Sequence, residues 1–153
     1  MTAEERVREL GLDLGSGPAP VANYVAAVQT GNLVFLSGQL PTLPDGSRVR
    51  GKVGADLDVQ AGYDAARLAT VGLLARLRDT IGSLDRVTRV VKVNGYVNST
   101  PDFEQQPAVI NGASDLLVEV FGETGRHARA AVSAGALPIG AAVEVEMIVE
   151  VAQ

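Results

Sequence analysis

The chain has 153 residues, of which 46% are hydrophobic and 20% charged, and its formal net charge is -5. That balance fits one folded globular domain and excludes a disordered chain. With no cysteine and a single histidine, disulfides, thiolate metal sites and a cysteine nucleophile are excluded, and a metal ion would find only carboxylates.

The N-terminal MTAEERVREL is charged and lacks the apolar core of a signal sequence. Thr2-Ala3-Glu4-Glu5 has capping-box spacing and Gly11 is a stop, which predicts a short helix at about 3–10. Leu12 to Val21 is rich in Gly and Pro and reads as an irregular lead-in. Asn23 to Gln29 and Asn32 to Ser37 are β-rich runs split by Thr30-Gly31, which predicts a hairpin. Pro41 to Gly54 reads as a loop.

Asp58 is the expected cap of a long helix over Val59 to Ile81. Ala65, Leu68, Ala69, Gly72, Leu73 and Leu77 recur there at helical spacing, and Gly82 ends it. Val87 to Val97 alternates and reads as a strand. Ser99 to Asp102 turns the chain, and Pro107 suits the first turn of a second helix reaching about Phe121. Arg129 to Ser133 reads as a strand. In Val143 to Val151, Val143, Val145, Met147, Val149 and Val151 take one face, and Glu144, Glu146, Ile148 and Glu150 take the other.

The order β-β-α-β-α-β-β gives an α+β fold of five or six strands with both long helices on one face of the sheet. The other face then meets water or another copy of the chain, which suggests a homo-oligomer with clefts between subunits. Aromatic residues are scarce at 4%, so Val, Leu, Ala and Ile must build the core. The acidic balance argues against nucleic acid as the main partner. No apolar run is long enough for a membrane span. These features describe a soluble cytoplasmic protein, and no metal or cofactor is expected.

Arg126-His127-Ala128-Arg129 leads straight into a run of small and apolar residues. A guanidinium entering such a segment needs an anion, from the protein or from a ligand. The plain reading of Arg129 is an arginine paired with an acidic neighbour; the functional one is a fork that grips a substrate carboxylate. Glu144 is either a solvated outward residue or a half-buried carboxyl that relays protons. His127, Tyr24 and Asn111 read first as hydrogen-bonded structural residues. Gly38, after Leu36-Ser37, either ends a strand or lets backbone approach a ligand.

Three stretches carry a likeness: NYVAAVQTGNLVFLSGQLP (23–41), PAVINGASDLLVEVFG (107–122) and RAAVSAGALPIGAAVEVE (129–146). Together they resemble the RidA/YjgF/YER057c/UK114 family over nearly the whole chain from about residue 18. The most specific pieces are SGQLP and the spacing Arg129-x7-Leu137-Pro138-x5-Glu144. GRHAR and INGASDLL point to a longer branch of that family. The helix before residue 11 is an extension, at about 1–17, on one domain spanning 1–153.

The resemblance implies a chorismate-mutase-like fold assembled as a homotrimer around a central barrel, with three clefts between subunits. It implies hydrolytic deamination of reactive enamines and imines, such as 2-aminoacrylate, to 2-keto acids and ammonia without a cofactor. Arg129 matches the carboxylate-binding arginine and Glu144 the glutamate associated with activating water. Tyr24, Ser37, Gly38 and Asn111 match residues lining the cleft. Ala131 stands where many family deaminases have cysteine, Asn23 replaces a common proline, and Arg126 and His127 reshape the preceding loop. The alternatives are a non-catalytic trimer that binds small carboxylates, and an endoribonuclease or translation inhibitor, a label the family has long carried.

Overall fold

The alternation at the C-terminal end sets the architecture. The structure, a computed structural model, describes residues 1–15 and 22–153. Strand β5 (Val143–Val151) buries Val143, Val145, Met147, Val149 and Val151, while Glu144, Glu146, Ile148 and Glu150 are only half-buried. It lies in the middle of a five-stranded sheet with β1 (Ala27–Thr30), β2 (Leu33–Gln39), β3 (Val87–Asn98) and β4 (Ala128–Ala134), in the order β1-β2-β5-β3-β4. Every pairing is antiparallel except that of β3 with β4.

Helix α2 (Val59–Ile81) has the predicted bounds. The Asp58 carboxylate accepts from the Ala61 N–H at 2.8 Å, and Gly82 ends the helix at φ 88°. Helix α3 (Gln106–Phe121) connects β3 to its parallel neighbour β4. A parallel pair needs such a crossover, and a helix supplies it. Both helices cover one face of the sheet. Leu73, Leu74 and Leu77 of α2 and Ile110, Leu116 and Leu117 of α3 are fully buried against the inner valines.

The first helix, α1 (Ala3–Glu9), carries the predicted capping box between Thr2 and Glu5. It is docked as well as capped. Val7 is buried, Arg6 Nη1 donates to the Val120 carbonyl, and Glu4 Oε1 accepts from the Leu84 N–H at 2.9 Å. The part of the expected lead-in that falls on 16–21 lies outside the described residues. The first predicted strand is shorter than its apolar run. β1 begins at Ala27, because Tyr24 and Val25 are exposed and the Tyr24 N–H turns back to the Ala22 carbonyl.

The sheet face away from the helices is mixed, as the sequence predicts. Phe35 pairs with Val28 and Ile148, and Val132 pairs with Tyr96, so these apolar side chains share that face with Glu144 and Glu146. Val28, Phe35 and Val132 are exposed in the single chain.

Close backbone approach seats α3. Gly112 faces α2, where a Cβ would collide with the Tyr63 carbonyl oxygen. Gly95 on β3 gives room to the Ile110 side chain in the same way. Alanine at position 112 gains helix propensity but forces two helix backbones apart. Gly112→Ala is therefore expected to cost about 2 kcal/mol net, read as a lower urea midpoint with an unchanged far-ultraviolet helix signal below the transition.

Candidate functional site

Arg129 lies on the edge strand β4, opposite Val93 of β3. Ala131 pairs with Gly95, which pairs with Val145, so Arg129 and Ala131 point to the helix-covered face. There the guanidinium meets α3. Nη1 donates to Asn111 Oδ1 at 2.8 Å and to Ser114 Oγ at 3.2 Å. Both acceptors are neutral. Among the described residues Arg129 makes no ion pair, although four other arginines do. Asn111 and Ser114 sit three residues apart, one turn of the helix, and so present one face to the strand.

His127 belongs to the same group. Its Nδ1 lies 2.7 Å from the Gly125 carbonyl and its Nε2 lies 2.9 Å from Ser114 Oγ. Burial pushes its pKa below the ordinary histidine value, and the nearby Arg129 charge adds to this against the Gly125 carbonyl. The ring is neutral at pH 7.

Glu144 belongs to a second group on the opposite face. It pairs with Tyr96 of β3 and packs on Gly38, where a Cβ would come within 2.9 Å of its Cδ. A side chain at position 38 would push the Glu144 carboxyl aside, beside the register shift between Leu36 and Gln39. Burial, and next the Glu146 charge, hold the Glu144 carboxyl above the usual range. Glu146 itself is well served. It accepts from Tyr96 Oη at 2.8 Å and from Asn94 Nδ2 at 3.2 Å. The Tyr96 phenol is raised in turn, first by that hydrogen bond. The two neighbouring carboxyls thus have divided environments: Glu146 accepts two side-chain hydrogen bonds and Glu144 accepts none among the described side chains. Ser37 lies beside them, its hydroxyl donating to the Val25 carbonyl at 2.7 Å. Tyr24 is 52% exposed, ahead of β1 at the far edge of the sheet.

The candidates therefore fall into two sets. Arg129, Asn111, Ala131 and His127 gather at the β4 edge on the helix face. Glu144, Ser37 and Gly38 gather around β5 and β2, with Glu144 on the open face, and Tyr24 lies beyond β1. Arg129 is level with Met147 and Glu144 with Val132, so the two are three residues and two strand spacings apart. That is about 10 Å along the strands and about 10 Å across them, on opposite sides of the sheet. A single chain does not bring them to one point. The loop between their strands is tightly held: Ile139 has φ 53°, Gly51 N–H donates to the Gly140 carbonyl, and Lys52 Nζ reaches the Gly135 carbonyl at 2.7 Å. A cavity of about 440 Å³ lies elsewhere, between α2 and the 39–48 segment, and neither Arg129 nor Glu144 lines it.

The sequence reading missed Ser114, Asn94, Tyr96 and Glu146 as site residues. Ser114 was visible as the polar residue one turn after Asn111. Asn94 and Tyr96 were visible as the polar positions alternating with Val93, Gly95 and Val97.

No group of His, Asp and Glu side chains with metal-holding geometry occurs among the described residues, and none of their helices is long and apolar enough to cross a membrane. Residues 4–151 match the YjgF/chorismate mutase-like family model, whose description also carries an endoribonuclease label. The chain is 48% identical over 145 residues to protein TCP17 of Trypanosoma cruzi, covering 94% of this chain and 91% of that one. It is 33% identical over 132 residues to the 2-iminobutanoate/2-iminopropanoate deaminase of Dermatophagoides farinae, covering 86% and 88% of the two chains. A crystal structure from Shewanella oneidensis, solved under an endoribonuclease label, superposes with a TM-score of 0.94 at 35% identity, covering 99% of this chain and 100% of that one. The chain belongs to the YjgF/chorismate mutase-like family, and its α+β fold is that family's fold.

The raised Glu144 carboxyl has a consequence for stability. A carboxyl whose folded value lies above its unfolded value binds its proton more tightly in the folded state. Its contribution is fully present below the unfolded value and is lost as pH rises through the folded one. Glu144→Gln is accordingly expected to raise the urea midpoint at pH 7, and to lose that advantage near about pH 4, when melts at the two pH values are compared.

Proposed function

We propose that this protein hydrolyses small 2-imino acids and their enamine tautomers to 2-oxo acids and ammonia, in clefts shared between copies of a homotrimer. The observation that carries this reading is the Arg129 guanidinium, held by two neutral acceptors and without a carboxylate partner among the described residues. Such a group has charge to offer an anionic ligand. The deaminase relative from Dermatophagoides farinae supplies the substrate class.

The chemistry asks little of the protein. A 2-imino acid has an electrophilic C2, more so when its nitrogen is protonated. Arg129 holds the carboxylate in paired hydrogen bonds and so fixes the position of C2. Water adds to C2 as Glu144 takes its proton. Glu144 returns that proton to the nitrogen of the resulting aminoalcohol, the C2–N bond breaks as the C2 hydroxyl becomes a carbonyl, and the hydroxyl proton passes to the released ammonia or to water. One imine and one water become one 2-oxo acid and one ammonia. A carboxyl held above the usual range is suited to both halves of that exchange.

The separation of Arg129 from Glu144 within a chain supports a site completed by a neighbour. In this arrangement one copy brings Arg129, Asn111 and Ala131. A second brings Glu144, Gly38, Ser37 and Tyr24. The exposed Val28, Phe35 and Val132 are the apolar surface that association would cover.

A second reading is a trimer that binds small carboxylates without turnover. Ala131 favours it, since it places no proton-transferring side chain beside Arg129 on the same strand face. The endoribonuclease reading draws no support from a net charge of -5 or from Glu144 and Glu146 on the open face, which repel phosphate.

The test is release of ammonia and pyruvate from enzymatically generated 2-iminopropanoate. Arg129→Ala is expected to lower kcat/KM by about 10²- to 10³-fold, and pyruvate binding with no turnover in the parent protein would select the second reading. A mixing experiment addresses the shared cleft. Co-expressed Arg129→Ala and Glu144→Gln chains, each inactive alone, are expected to recover about a quarter of parental activity, because a random trimer pairs an intact Arg129 with an intact Glu144 at half of one half of its clefts. No recovery would place both residues of a working site in one chain.

A further inference from the structure

The hydrogen bonds around Arg129 have a direction that chemistry fixes. Gly125 is buried against the C-terminal end of α3, where a Cβ would collide with the Leu117 carbonyl. This sets its own carbonyl 2.7 Å from His127 Nδ1. A carbonyl oxygen only accepts, so Nδ1 carries the hydrogen. In the neutral ring Nε2 is then an acceptor, and the partner at 2.9 Å is Ser114 Oγ. Ser114 has one hydroxyl hydrogen, and it is given to Nε2. The hydroxyl lone pairs are left for Arg129 Nη1 at 3.2 Å. The same nitrogen donates to Asn111 Oδ1 at 2.8 Å. Arg129 Nε and Nη2 have no acceptor among the described residues. They are the edge of the guanidinium that a carboxylate can take in two parallel bonds.

We infer that His127 is a positioning residue: acting through Ser114, it fixes which edge of the Arg129 guanidinium is turned to the substrate carboxylate. Both of its ring nitrogens are engaged inside the protein, so it has none to offer a ligand. The inference rests on the reading of Arg129 as the carboxylate anchor. Without an acceptor at His127 Nε2, the Ser114 hydrogen turns toward whatever acceptor remains. Ser114 then ceases to be a fixed acceptor for Nη1, and the guanidinium gains a second orientation. The low side-chain entropy of a held arginine is lost from binding.

Calorimetry with pyruvate, together with steady-state kinetics on 2-iminopropanoate, tests this. Ser114→Ala and His127→Leu are each expected to weaken pyruvate binding by about fivefold or more, with KM rising to match and kcat changing less than about threefold. His127→Gln carries an amide oxygen near the position of Nε2 and is expected to stay within about threefold of the parent in Kd. The double variant Ser114→Ala/His127→Leu is expected to be no weaker than either single one, because both break one chain. Unchanged Kd in Ser114→Ala and His127→Leu, or equal losses in the Leu and Gln variants, would overturn the inference and leave His127 a packing residue. Should His127→Leu fail to fold, the same decision falls to Ser114→Ala alone and in combination with His127→Gln. If pyruvate binds the parent and the Arg129→Ala variant alike, the anchor reading itself fails, and this inference with it.

Discussion

A guanidinium tethered at one nitrogen by uncharged groups is the constraint from which the rest of the site follows. Asn111 and Ser114 satisfy part of Arg129 without cancelling its charge. An aspartate in either place would hold the side chain just as well but would cancel its charge. Neutral acceptors orient the cation and keep its field available. They come from one helix face, and that helix is where it is because β3 and β4 run parallel and require a crossover between them. The chemistry of the edge strand is thus a product of the topology as much as of the residue type.

The second face of the sheet follows the opposite logic. Glu146 is supplied with two donors and Glu144 with none among the described side chains, although both leave the same strand in the same direction. Gly38 brings the β2 backbone close to Glu144 and excludes water from one side of it. The fold therefore separates the Arg129 guanidinium from the Glu144 carboxyl by the thickness of a sheet. Within one chain the two sets do not meet.

Much of the architecture was legible in the sequence, because it rests on local signals. Asp58 and Gly82 bound α2, and the strict period of two in β5 marks both of its faces. The resemblance named the family, and the family match bears it out. The relation of Arg129 to Glu144 was not legible. It depends on β3 lying between β4 and β5 and on the register of both pairings, which join residues as far apart in sequence as Val87 and Val151. Ser114 was legible only in part: its place one turn after Asn111 could be read, but its contact with Arg129 exists only once β4 is laid beside α3. The apolar run at Tyr24 and Val25 misled in the other direction, since strand propensity without a neighbouring strand forms no ladder.

The parallel ladder of β3 and β4 runs unbroken from Lys92–Ala128 to Asn98–Ala134. Side chains on such a ladder alternate, so the length of the connection from Phe121 to Ala128 works as a counting device. Adding or removing one residue there would turn Arg129 toward the carboxylates of the far face and bring Ala128 or Ala130 to Asn111. Size in that short link is therefore as strictly determined as the identity of the arginine it delivers.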